Sequence, residues 1–137
     1  MNRSELQRLS NARIREAKIL FRANEFSGAY YLAGYALECA LKSCFAKTVK
    51  RHDFPDKDRH TKVFTHKINT LVELSKLENE LARAKQAIPG FESSWTVAMK
   101  WNEEARYKHW SKEEAEALLD AIQRRTNGVL PWIKRHW

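Results

Sequence analysis

Residues 29–47, AYYLAGYALECALKSCFAK, form an apolar and small-residue run broken internally only by Glu38, Lys42 and Ser43. At helical rise this run is about 28 Å long, close to a bilayer's hydrocarbon thickness of about 30 Å. An ionised Glu38 and Lys42 near its middle are too costly for lipid. The run therefore reads as a soluble helix buried over most of its circumference, the central element of a helical bundle. Glu38 precedes Lys42 by four residues, the favourable order for a pair on one helix face. Such a pair either snorkels at the bundle rim or faces a subunit interface or polar cleft.

Only four Gly and three Pro in 137 residues argue against a turn-rich β fold. The chain reads as one domain, 1–137, large enough for a core without covalent staples. Cys39 and Cys44 are five residues apart on one helix, on different faces, and are expected to be reduced and buried. The first eighteen residues, MNRSELQRLSNARIREAK, lack the apolar core of a signal peptide, so a cytoplasmic location and no membrane span are expected.

The helical pattern has five parts. Ser4 and Gln7 have capping-box spacing before a first helix, with Asn24 as its stop. A second helix covers about 26–49, and a polar loop of about 50–64, broken by Pro55, follows. A third helix is expected from Thr65 to the Pro89-Gly90 stop, and a shorter fourth capped by Ser93-Ser94. Ser111 and Glu114 form a capping box for the fifth, with Ala115, Leu118, Leu119 and Ile122 on one face. Asn127-Gly128 and Pro131 predict a stop or kink, leaving 128–137 as a tail. The expected fold class is all-α, a single up-and-down bundle of four to five helices.

The net charge of +8 sits in three places: the first helix, segment 47–67 at +4, and segment 121–137 at +4. This favours a polyanion, with Arg124, Arg125, Lys134 and Arg135 as candidate nucleic-acid contacts beside Trp132 and Trp137; a solvated surface with solubilising charge is the alternative. His52, His60 and His66 with Asp53, Asp56 and Asp58 match no closed metal site, and nearby Lys57, Arg59 and Lys62 repel cations. With no Gly-rich phosphate loop, Ser/His/Asp order or zinc-spaced Cys pair, neither cofactor nor metal is expected. Tyr31 and Tyr35 read as core or subunit interface.

Three segments, AYYLAGYALECALK (29–42), THKINTLVEL (65–74) and EARY (104–107) before the capped helix at 111–122, resemble the prokaryotic HEPN family in order and spacing. In that family a small-and-aromatic helix carries a Glu and Lys four apart, a Thr-His segment precedes a leucine-rich helix, and an Arg-Tyr segment precedes the last core helix. The resemblance spans roughly 5–133 and implies a four- or five-helix bundle that usually forms homodimers. Many members resemble RNA-targeting toxins or defence effectors, metal-independent ribonucleases with an Arg, four to six residues, then a His. There the His serves as general acid or base and the Arg stabilises phosphorane charge. Others resemble partners of small nucleotidyltransferases or nucleotide-binding modules.

Here Arg106 is followed by His109 with only two residues between, a departure from that spacing, although at helical pitch the two share a face. The literal spacing occurs at Arg59 and His66, where His66 can also serve a helix cap. The resemblance thus implies a dimer acting on or around RNA or nucleotides in a toxin–antitoxin or defence system, with a small nucleotidyltransferase as candidate partner. The alternatives are a metal-independent endoribonuclease using one of these Arg/His pairs, and a dimeric adaptor with no nucleic-acid role.

Overall fold

A computed structural model of the chain describes residues 1–50, 53, 54 and 56–137. Among these residues the fold is all-α, with eight α-helices, one 3₁₀ turn and no strand. None of the described helices is long and apolar enough to cross a membrane. Arg51, His52 and Pro55, including the proline expected to break the loop, lie outside the described residues.

Helix α1 (Arg3–Arg22) starts earlier than Ser4 suggests, because Asn2 is the cap. The Asn2 side chain accepts the Glu5 amide at 2.9 Å, and Glu5 returns a carboxylate to the Asn2 amide at 2.8 Å. Asn24, in the left-handed region with φ 62°, turns the chain into α2 (Phe26–Thr48). The apolar run lies wholly within α2 and is buried apart from Lys47 and a partly exposed strip that includes Tyr31, Tyr35, Lys42 and Ala46. Leu37 and Leu41 are fully buried, each worth about 1.5–3 kcal/mol of desolvation.

The α1 and α2 helices pack antiparallel. The buried Ser10 hydroxyl of α1 donates to the Ala36 carbonyl at 2.8 Å, satisfying a polar group that the contact would otherwise strand. From the other side, the Ser75 hydroxyl donates to the Leu41 carbonyl at 3.1 Å. Ser75 also marks where the expected third helix breaks in two. Lys76 takes φ 59°, so α4 (Ile68–Leu74) ends there and α5 (Glu78–Ala87) starts afresh.

The expected loop contains a short helix, α3 (Lys57–Lys62), capped by the Asp56 carboxylate. Gly90, rather than Ser93-Ser94, caps α6 (Phe91–Ala98), and Ser94 is buried inside that helix. Its positive φ of 81° is a conformation glycine adopts without penalty. The 3₁₀ turn Glu103–Tyr107 leads to α7 (Lys112–Gln123), where Ser111 caps by accepting the Glu114 amide at 3.1 Å, as expected. The tail is a packed helix, α8 (Val129–Lys134), not a free extension. Pro131 sits in its first turn, where no intrahelical N–H is needed. Trp132 packs edge-on against Phe91 and Trp95, at centroid distances of 5.4 and 6.0 Å.

The two ends of α2 meet different partners. At its C-terminal end, Lys47 donates to the His136 carbonyl at 3.4 Å and Arg3 of α1 donates to the Trp137 carbonyl at 2.6 Å. Toward its N-terminal end, Trp110 stacks on Tyr30 at 3.7 Å between centroids, and its backbone N–H donates to Ser27 at 2.9 Å. Midway, Trp101 lies flat on α2 at Gly34, where an added Cβ would overlap the indole ring. Gly28 instead faces the flexible end of Leu20, with 3.1 Å available.

Gly34→Ala is therefore expected to destabilise by about 2 kcal/mol through overpacking. Gly28→Ala is expected to stay within about 1 kcal/mol of wild type, because gained helix propensity offsets a small crowding penalty. Urea unfolding of both variants checks the contrast, and equal effects would contradict the Trp101 contact.

Candidate functional site

Glu38 is 2% exposed, yet its carboxylate meets two nitrogen donors from separate segments. The Lys42 ammonium, one turn along α2, donates to Oε1 at 2.7 Å. His66, on the approach to α4, places Nδ1 3.0 Å from each of Oε1 and Oε2. An ionised carboxylate only accepts, so this contact is a hydrogen bond to an ionised Glu38 when the His66 proton sits on Nδ1. Lys42 and His66 keep 20% and 44% of their side-chain exposure, so the buried carboxylate connects to the surface through two partly wet partners. The pair foreseen at 38 and 42 is thus a three-residue cluster. His66 reaches it because α4 starts at Ile68 rather than Thr65, leaving Thr65–Lys67 extended enough to turn the imidazole onto α2.

The cluster borders a groove of about 640 Å³ between the start of α1, the C-terminal half of α2 and α3. Leu6, Leu9, Phe45, Val63 and Phe64 give the groove an apolar body, while Tyr35 and Glu38 lie on its α2 side. Arg3, Lys42 and His60 add cationic or titratable groups. Phe64 is 79% exposed, an aromatic face presented to solvent at this groove. Cys39 also lines it, but burial pushes its thiol up to about 11 and Glu38 adds to the effect, so no thiolate nucleophile is available near neutral pH. Cys44 is pushed up to about 12 by burial, and its thiol contacts the Ile133 carbonyl at 3.8 Å.

Neither candidate Arg/His pair comes together. Arg59 donates to the Leu74 carbonyl at 2.8 Å and to Thr48 Oγ1 at 3.0 Å, with its guanidinium 5.2 Å from the Phe45 ring centre. It ties α3 to the ends of α2 and α4. His66 serves Glu38 seven to ten residues back along α2, about 10–15 Å away at helical rise. Arg106 and His109 are both exposed. Arg106 lies in the 3₁₀ turn with its guanidinium 4.8 Å from the Tyr107 ring centre, and Lys108 is extended at ψ 155°. The backbone therefore leaves helical pitch between them, and the shared face expected at positions 106 and 109 is lost.

The basic residues of the tail also separate. Lys134 donates to Asn11 of α1 at 2.7 Å, whereas Arg124 lies 3.9 Å from Asp120 on its own helix. Arg125 and Arg135 are exposed. Segments 47–67 and 121–137 do converge, at Lys47 and His136, but Arg106 stands beside Tyr31, about 24 Å along α2 from Lys47 at helical rise. In the His/Asp loop, Asp56 caps α3, Asp53 accepts the Lys50 amide, and His60 meets the Phe45 ring edge-on. Among the described residues no three metal-type donors converge.

Tyr31 and Tyr35 stack at 6.1 Å on the partly exposed strip of α2. Burial raises the Tyr35 hydroxyl above its ordinary value, with Cys39 and Glu38 contributing. Tyr31, Tyr35, Glu38 and Lys42 thus follow one another along α2, with Arg106 beside Tyr31 and His66 bonded to Glu38. Spacings of four, three and four within an otherwise apolar run were the signal for this line. The contribution of His66, 28 residues downstream, had no local signal. Comparisons with protein-family models, curated proteins and solved structures gave no match.

Glu38→Ala is expected to destabilise by about 3 kcal/mol, because it strands a lysine against the core. The double change Glu38→Ala/Lys42→Ala should cost less than the single one. His66→Ala alone should cost about 1 kcal/mol, given its exposure. Chemical denaturation of the set checks the order, and a Glu38→Ala effect within about 0.5 kcal/mol of wild type would mean a solvated pair.

Proposed function

We propose that this chain is a HEPN-type helical domain working as a homodimer on or around RNA or nucleotides, in a toxin–antitoxin or defence setting with a small nucleotidyltransferase as partner. The observation that carries this reading is the line along α2. The three segments on which the family resemblance rests supply Glu38 and Lys42, His66, and Arg106 with Tyr107, and all three meet the same strip. A bundle without a ligand has little reason to line one partly exposed strip with a tyrosine pair, a buried carboxylate and several cations.

The chemistry of the groove suits a nucleotide. Tyr35 and Phe64 offer aromatic surface to a base, and Arg3 offers charge to a phosphate beside the remaining N–H donors of Lys42. The reading favoured here is binding rather than cleavage, because Arg59 is committed to holding helices together and Arg106 and His109 share no helix face. Ile19, Phe54 and Tyr107 are large apolar side chains left exposed, which supports association through at least about 1,200 Å² in total.

The test uses purified protein, adenosine monophosphate and a 12-nucleotide RNA. Saturable binding is expected, and Phe64→Ala should raise Kd about tenfold for both without altering the unfolding midpoint by more than a degree or two. Total RNA should remain intact in EDTA. Cleavage abolished by Arg106→Ala would replace this reading with an endoribonuclease, and a dimer that binds neither ligand would replace it with an adaptor.

A further inference from the structure

Helix α1 carries four of its six basic residues in a single row on the side away from the groove, the others being Arg3 at the groove and Arg13 in its pair with Glu16. Arg8, Arg15, Lys18 and Arg22 follow at spacings of seven, three and four, so they fall within about 80° of the helix circumference. Asn11 occupies the gap in that row and accepts Lys134 of α8 at 2.7 Å, which adds a fifth cation. Burial and the nearby Lys18 ammonium push Lys134 below the usual lysine value.

A solvated helix face normally interleaves charges of opposite sign. Here the carboxylates of α1 are engaged elsewhere: Glu5 holds the Asn2 cap and Glu16 pairs with Arg13 at 3.0 Å. Among the described residues none of the five cations is in an ion pair. Arg8 is positioned by the Ser4 hydroxyl at 3.0 Å and Lys134 by an amide, so neutral groups hold these cations without compensating them. Glu116 and Asp120 of α7 face Lys18 and Arg22 across a hollow, where they limit the field on one flank. Like charges one turn apart, as at 15, 18 and 22, weaken a helix unless something outside it supplies the opposite charge.

We infer that this face of α1, with Lys134 of α8, is the track for the phosphodiester backbone of a nucleic-acid strand. This inference rests on the proposed role around RNA and locates the backbone contact apart from the groove. From Arg8 to Arg22 the row runs about 21 Å, the axial length of about six phosphates in one strand of a duplex. The row has the linear shape of a strand, while Ile14 and Ala17 of this helix are buried in the core and Ile19, 56% exposed, is the one large exposed apolar side chain of α1, too little to seat the helix in a lipid surface.

The test measures binding of a 12-nucleotide RNA and a DNA of the same sequence by fluorescence anisotropy, and takes the tighter one through 50–200 mM salt. Replacing Arg15, Lys18 and Arg22 with Gln is expected to reduce the slope of log K against log salt by about 2, the release expected from three single-strand contacts. Thermal unfolding of that variant should occur at or above the wild-type temperature, because like-charge crowding is relieved. A control with Lys57, Lys62 and Lys67 replaced by Gln should keep the wild-type slope. An unchanged slope in the α1 variant, or an equal loss in the control, overturns the assignment. Adenosine monophosphate binding separates the two readings: if it persists while the slope is unchanged, the groove reading stands and the track falls.

Discussion

The burial of Glu38 is the constraint around which the rest of the molecule is arranged. A carboxylate 2% exposed in the middle of the most apolar helix is tolerable only with cationic or N–H partners at bonding distance. Lys42 provides one from the same helix and His66 the other from a segment that must be brought across. That requirement fixes where α4 can start and keeps one strip of α2 free of covering helices. The groove lies along that strip because α3, held by Arg59, stands off from α2 instead of packing over Lys42.

Two surfaces of different character result, on opposite sides of α1. The strip of α2 is aromatic and polar, with one neutralised carboxylate and a cavity large enough for a small ligand. The far side of α1 is a row of cations outside any ion pair among the described residues. These are the two surfaces to which the proposed function assigns a nucleotide or strand end and a phosphate backbone. The Ser10 and Ser75 hydroxyls, each bonded to an α2 carbonyl, hold the neighbouring helices to α2 and so keep these surfaces fixed relative to one another.

Much of this fold was legible in the sequence because its signals are local. The apolar run, the Asn24 stop, the Ser111 cap and the Pro89-Gly90 break all act within a few residues, and each falls where expected. What was misplaced depended on tertiary contacts or on competition between neighbouring caps. Asn2 displaced Ser4 because its side chain and that of Glu5 bond reciprocally. The break at Lys76 serves the Ser75 bond to Leu41, which no local propensity announces. In the site, Glu38 and Lys42 were visible as charges in an apolar run. The selection of His66 from five histidines was not, since it depends on how α4 is laid against α2. The Arg59/His66 spacing matched a motif in sequence, but the backbone sends the two side chains to different tasks.

The most direct measurement of the central claim is the tautomer of His66, read from its imidazole nitrogen chemical shifts by long-range ¹H–¹⁵N correlation at a pH where the ring is neutral. If Glu38 is an ionised carboxylate held by Lys42 and His66, the ring carries its proton on Nδ1, and Glu38→Gln changes that signature. A ring protonated on Nε2 and indifferent to Glu38→Gln would contradict the account, because the Glu38 carboxylate would then lack the donor that joins α2 to the start of α4.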